Sequence, residues 1–182
     1  MAIVATRGES GGTGNFEPAP EGVHQAVCVD VIDLGLLEVT WAGQTKKQHK
    51  ILISWQLDEA RDDGKPFLVS KRYTLSLNEK ANLRKDLESW RGRKFTLEEE
   101  MGFDVESILG ANCLLNVQHN KKDDKTYANV ISITPLVKGF SKIAAKDYIR
   151  KIERTEGQAD EPSDTSGQVL VDDIPFARMP SY

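Results

Sequence analysis

The chain has 182 residues, 39% of them hydrophobic, a formal charge of −4 and only two cysteines. That is room for one self-standing domain with tails, or for two small ones. Cys28 and Cys113 are too few and too far apart for a disulfide framework or a zinc ribbon, and no apolar run approaches the length of a membrane span.

Residues 1–20 are expected to be a flexible segment, since Met1-Ala2-Ile3-Val4 leads into glycines rather than a signal-peptide core. The stretch 7–15 is glycine-rich, but no Lys-Ser/Thr follows its last glycine, so it is not a phosphate loop. Apolar density rises from about residue 21, and residues 21–139 are expected to form the folded domain. Val23, Gln25, Val27, Val29 and Val31 alternate with His24, Ala26, Cys28 and Asp30, the pattern of a half-buried strand. Residues 34–47, with two glycines, are read as a long loop or bend. A second strand spans 48–57, with Ile51, Ile53, Trp55 and Leu57 on one face. Asp62-Asp63-Gly64-Lys65-Pro66 is turn chemistry, and a third strand follows over 67–75.

Ser76-Leu77-Asn78-Glu79 has the spacing of a capping box, and Leu83, Leu87 and Trp90 then share one face of a helix. Thr96-Leu97-Glu98-Glu99 repeats that pattern for a second short helix, and residues 104–109 suggest a third that stops at Gly110. Two further strands, 112–119 and 126–134, flank a charged turn. The order β-β-β-α-β-β predicts a mainly β protein, a five-stranded OB-fold-like barrel whose helix fills the gap between strands three and four. Residues 140–155 are expected to add a short helical extension.

The last stretch differs in kind. Residues 156–176 carry six acidic residues and no Lys or Arg, with too few apolar residues to offset the entropy of ordering. Residues 156–182 are therefore expected to be a disordered acidic tail. Removing that arm's −6 from the overall −4 leaves the rest of the chain at +2. A basic body with a detached acidic arm is compatible with a nucleic-acid partner.

Near the end stands Asp172-Asp173-Ile174-Pro175-Phe176, a compact apolar knob with an acidic rim. Ile174 and Phe176 suit a partner's pocket, and Pro175 limits the chain entropy lost on docking. The pentapeptide resembles the acidic tip of bacterial single-stranded DNA-binding proteins, which implies recruitment of host replication and repair proteins. In that family the Phe is the last residue, whereas Ala177 to Tyr182 follow here. In the body, Asp63-Gly64-Lys65-Pro66-Phe67, the run 70–77 (SKRYTLSL), the run 83–92 (LRKDLESWRG) and Lys125-Thr126-Tyr127-Ala128-Asn129-Val130 look like segments of a family of phage and prophage proteins. Those are regarded as OB-like, replication-associated binders of single-stranded DNA. The resemblance implies DNA binding and protection in replication or recombination, in the cytoplasm of a host cell, with the tail modulating binding or recruiting partners.

A sequence-tolerant binder of single strands needs cations for phosphates and flat side chains for bases. The candidate cations are Lys46, Lys47 and Lys50, then Lys71 and Arg72, then Lys121, Lys122 and Lys125. Trp41 is the candidate stacking residue, set among polar residues and glycine. Tyr73 and Tyr127 either stack or pack at a barrel end, while Trp55 and Trp90 share faces with aliphatic residues and belong to the core. His24, His49 and His119 have no metal-ligand spacing, and the paired aspartates 62–63 and 123–124 lie in Lys-flanked turns. No catalysis, metal or cofactor is expected. Two rival readings remain: an adaptor that imitates the host's binding-protein tip, and an RNA-binding OB-fold protein.

Overall fold

The computed structural model describes residues 17–154. Five antiparallel strands make one sheet in the order β3-β2-β1-β4-β5. They are β1 (Gly22–Trp41), β2 (Gln44–Ala60), β3 (Pro66–Thr74), β4 (Asn112–Lys122) and β5 (Lys125–Pro135). Helix α1 (Asn82–Arg91), helix α2 (Leu97–Met101) and a 3₁₀ turn (Val105–Ile108) lie between β3 and β4. The protein is mainly β, with the expected element order.

The sheet does not close into a hydrogen-bonded barrel. No ladder joins β3 to β5, although the two edges approach each other. Leu83, Leu87 and Trp90 of α1 pack into the same core as Ile53, Trp55, Tyr73 and Ile133, and this wedge fills the place a closing ladder would take. Ser89 Oγ, on α1, donates to the Ile133 carbonyl of β5 at 2.6 Å, which satisfies part of that edge. Cys28 and Cys113 are buried, free thiols on neighbouring strands, and burial pushes the Cys28 thiol up to about 12.

Several local expectations are corrected. Beyond Asp33, β1 does not become a loop. It continues to Trp41 and pairs residue by residue with β2, ending at Trp41↔Gln44. Ala42 and Gly43 have φ of 49° and 77°, the paired positive values of the two-residue turn that matches strand twist. The valine face of β1 is not the main core face either. Ala26 and Cys28 enter the main core, while Val27 and Val29 form a separate cluster with Leu68, and Val23 is exposed. An irregularity between Cys28 and Asp30 shifts the phase there. Ser76 does not cap α1: its hydroxyl accepts from the Asn78 N–H in a preceding turn, and the N-cap is Ala81, five residues beyond the expected one. The extension expected over 140–155 is, as far as Arg154, an irregular strap with only a 3₁₀ turn at Lys151–Glu153. The backbone groups of Ile143 and Lys146 bond to side chains of the sheet, while those at the two ends of the strap bond locally to one another.

The second capping box forms as expected. Thr96 Oγ1 accepts from the Glu99 N–H, and the Glu99 carboxylate accepts from the Thr96 N–H at 3.0 Å. Arg93 donates to both Glu99 oxygens, at 3.0 and 2.8 Å, and Arg91 donates to the same carboxylate. The Arg93 bonds, then the Thr96 N–H, hold the Glu99 carboxyl down at about 2. A depressed pKa contributes stability above the ordinary value of 4.5 and loses it as pH falls toward 2. Glu99→Gln should therefore destabilise the domain at pH 7. The gap between the urea midpoints of parent and variant should shrink steadily below pH 4.5; a gap independent of pH would show that the charge of Glu99 does no such work.

Candidate nucleic-acid interface

The register of the two long hairpins decides which candidate side chains share a face. On the β1–β2 hairpin, Val39 pairs with Lys46 and Trp41 with Gln44. Side chains two apart on a strand, and those directly opposite, lie on the same face. Trp41 and Lys46 are therefore together, with Lys47 on the reverse face opposite Glu38. Trp41 is 45% exposed and Leu36 67%, so this ribbon presents apolar surface with no core beneath it. The tip is held in register by a 2.9 Å bond between the Thr40 and Thr45 hydroxyls.

The β4–β5 hairpin repeats the arrangement. Tyr127 pairs with Asn120 and Lys125 with Lys122, which places Tyr127, Lys122 and Lys125 on one face and Lys121 on the other. Asp123 and Asp124 form the two-residue turn with φ of 49° and 62°. Tyr127 alternates with the buried Ala128 and is itself only half-buried. Of the two open roles, stacking or packing at a barrel end, its partial exposure leaves part of the ring available to a ligand. Each hairpin tip thus carries one aromatic ring and at least one exposed lysine on the same face.

The cations and ring in the middle of the sheet are differently placed. Lys50 is 1% exposed, and its Nζ donates to Thr74 Oγ1 at 2.7 Å. Tyr73 is 1% exposed and lies in the main core, where its hydroxyl donates to Asp86 Oδ2 at 2.8 Å. Lys71 shares that face of β3, donates to the same Asp86 oxygen at 2.7 Å, and sits 5.3 Å from the Tyr73 ring centre. Three groups expected to meet a ligand are therefore engaged inside the protein. Asp86, on α1, is the residue that sequence reasoning missed, because only the folded chain brings the helix against β3. Arg72 is half-buried on the opposite face of β3, across from Leu52.

All three histidines are hydrogen-bonded within the protein. His24 bonds Glu59 and the Pro20 carbonyl, each at 2.8 Å, His49 bonds Asp33 at 2.6 Å, and His119 bonds the Ala19 carbonyl at 2.7 Å. Among the described residues no cluster of His, Cys, Asp or Glu could hold a metal ion, and no helix is long and apolar enough to cross a membrane. A cavity of about 450 Å³ lies between α1, α2 and the 3₁₀ turn, lined by Trp90, Arg91, Phe103 and Ile108 among others. None of the candidate side chains reaches it.

The outer face of the sheet is partly covered by the chain itself. After β5 the strap of residues 136–154 crosses β1 and β2, and Ile143 and Tyr148 pack on Val27, Val29 and Leu68. The segment Asp172-Asp173-Ile174-Pro175-Phe176 lies outside the described residues. No protein-family model matches this chain, and no curated protein matches it.

Proposed function

We propose that this chain is a sequence-tolerant single-stranded DNA-binding protein of the phage type, protecting DNA during replication or recombination in the host cytoplasm. The observation that carries the reading is the pair of hairpin tips, each setting an aromatic ring and at least one exposed lysine on one face. Rings stack on any base and lysines neutralise any phosphate, so such a surface binds without reading sequence. The OB-like strand order supports the reading, because that fold uses the sheet face and the loops at its rim as a ligand surface. The acidic arm then serves as a tethered competitor for the cations or as the recruiter of partner proteins.

The test is a fluorescence titration of the full chain with oligo-dT, duplex DNA and oligo-rU at two salt concentrations. Tight, salt-dependent binding of oligo-dT over both others is the expected result. Preference for oligo-rU would make it an RNA binder, and no nucleic-acid binding at all would leave the adaptor reading. A single residue tests the stacking role. Trp41→Ala should weaken oligo-dT binding by about 1–3 kcal/mol while the thermal midpoint stays within a degree or two, because Trp41 touches no core cluster. Unchanged affinity would remove Trp41 from the interface.

A further inference from the structure

We infer that the strap after β5 is a second phosphate-contacting element, with Lys138, Lys142 and Lys146 as its contacts; this rests on the reading of the chain as a single-strand binder. The three lysines recur every four residues, and Arg150 continues the series. All three are exposed, and the described residues show no ion pair to any of them. Arg150, by contrast, is committed to Asp30 and Glu106.

The strap is fixed by side chains that grip its backbone. Asn112 donates to the Ile143 carbonyl at 2.9 Å and accepts from the Ile143 N–H at 2.8 Å. Gln56 makes the same two-way contact with Lys146, both bonds at 2.8 Å, so the root of that lysine is held from both sides. Gln25 donates to the Ser141 carbonyl at 2.6 Å. The far end is latched on Asp30, a carboxylate 1% exposed, which accepts from the Tyr148 hydroxyl at 3.0 Å and the Lys151 N–H at 2.7 Å. A basic segment that served solubility alone would need none of these anchors. Ordering a chain costs about 1–2 kcal/mol of entropy per residue, so the contacts are a specific device for setting lysines in place. Arg150 also pairs with Asp30 at 3.3 Å, which offsets a negative charge that would otherwise repel phosphate from this face. The lysines stand four residues apart along an irregular strap, which sets their ammonium groups apart for contact with different phosphates.

The experiment compares the full-length parent with K138Q/K142Q/K146Q in oligo-dT titrations between 50 and 200 mM salt, with thermal midpoints measured alongside. Three lost contacts should lower the salt slope by about 2, so that a fourfold rise in salt weakens the variant about 20-fold less than the parent. The midpoint should stay unchanged, because these side chains are exposed. If the parent does not bind oligo-dT, the single-strand reading itself falls. If the parent binds and the variant keeps the full slope, only the strap assignment falls. A second variant, I143A/Y148A, keeps every lysine but loosens the strap while leaving the sheet intact, which faster hydrogen exchange confined to residues 141–151 would verify. Weaker binding by this variant supports an ordered cationic ridge. Equal binding would show that its order is irrelevant, and tighter binding would show that the strap is a cover over the face; either overturns the inference.

Discussion

Trp55→Ala is expected to lower the unfolding free energy by about 3–5 kcal/mol, a large part of the stability of a domain this size. Trp55 is fully buried in the centre of β2, among the side chains of both the sheet and α1. Its ring centre lies 6.0 Å from that of Trp90, with the planes inclined at 53°. Truncation would leave a cavity where the helix joins the sheet, and no flexible neighbour stands ready to fill it. Trp55→Phe should be far milder than its change in volume suggests. The Trp55 indole N–H is buried without a hydrogen-bond partner, whereas that of Trp90 donates to the Asn112 carbonyl at 3.0 Å. Removing an unpaired buried donor recovers about 1–3 kcal/mol of desolvation cost, against the loss of packing. Trp90→Phe would instead leave a carbonyl unpaired and should cost more. Urea unfolding of the three variants checks the ranking; equal costs for the two Phe variants would show that hydrogen bonding does not separate these indoles.

The parts of the fold that were legible in the sequence are those where one period holds without interruption. Ile51, Ile53, Trp55 and Leu57 alternate cleanly and all enter the core, as do Leu83, Leu87 and Trp90 at helical spacing. Thr96 and Glu99 form their capping box because both partners are local. Misreadings arose where the period slips or a distant partner decides. In β1, Ala26 and Cys28 enter the main core up to the irregularity between Cys28 and Asp30, beyond which Val31 packs on it, and the strap covers Val27 and Val29 from outside. Gly35 and Gly43 made the hairpin arm look like a loop, yet one lies at a register shift and the other in the turn.

Among the candidate site residues, Lys71 and Tyr73 stand two apart, so alternation sets them on one side of β3. What it did not supply was Asp86, which lies on a separate helix and meets both. Lys50 follows a polar phase and is nonetheless buried against Thr74 of the neighbouring strand. The lysines at the hairpin tips stay exposed because nothing packs over a turn. Sequence could locate the charges, but only strand register shows which of them share a face with an aromatic ring.

Replacing Lys46, Lys47, Lys121, Lys122 and Lys125 together by Ala is expected to produce the largest change in DNA binding. Each cation that neutralises a phosphate of a single strand contributes about 0.7 to the slope of log affinity against log salt. The three that share a face with the rings, Lys46, Lys122 and Lys125, contribute about 2, so between 50 and 200 mM salt the variant should lose about 20-fold less affinity than the parent. At low salt its affinity should be far weaker, whatever the base sequence, since phosphate contacts carry no sequence information. The fold should survive, because all five side chains are exposed at strand ends beyond the core. Lys71→Ala provides the contrast. Its ammonium is bound to Asp86, and both side chains are about four-fifths buried, at 20% and 18% exposure. Losing it leaves Asp86 with one partner fewer and should cost about 1–3 kcal/mol of stability without altering the salt slope. Titrations at several salt concentrations and urea midpoints for both variants give the four numbers required. A Lys71→Ala chain with normal stability and a reduced slope would return the DNA to the centre of the sheet. A five-lysine variant with the parent's slope would take it away from the hairpin tips altogether.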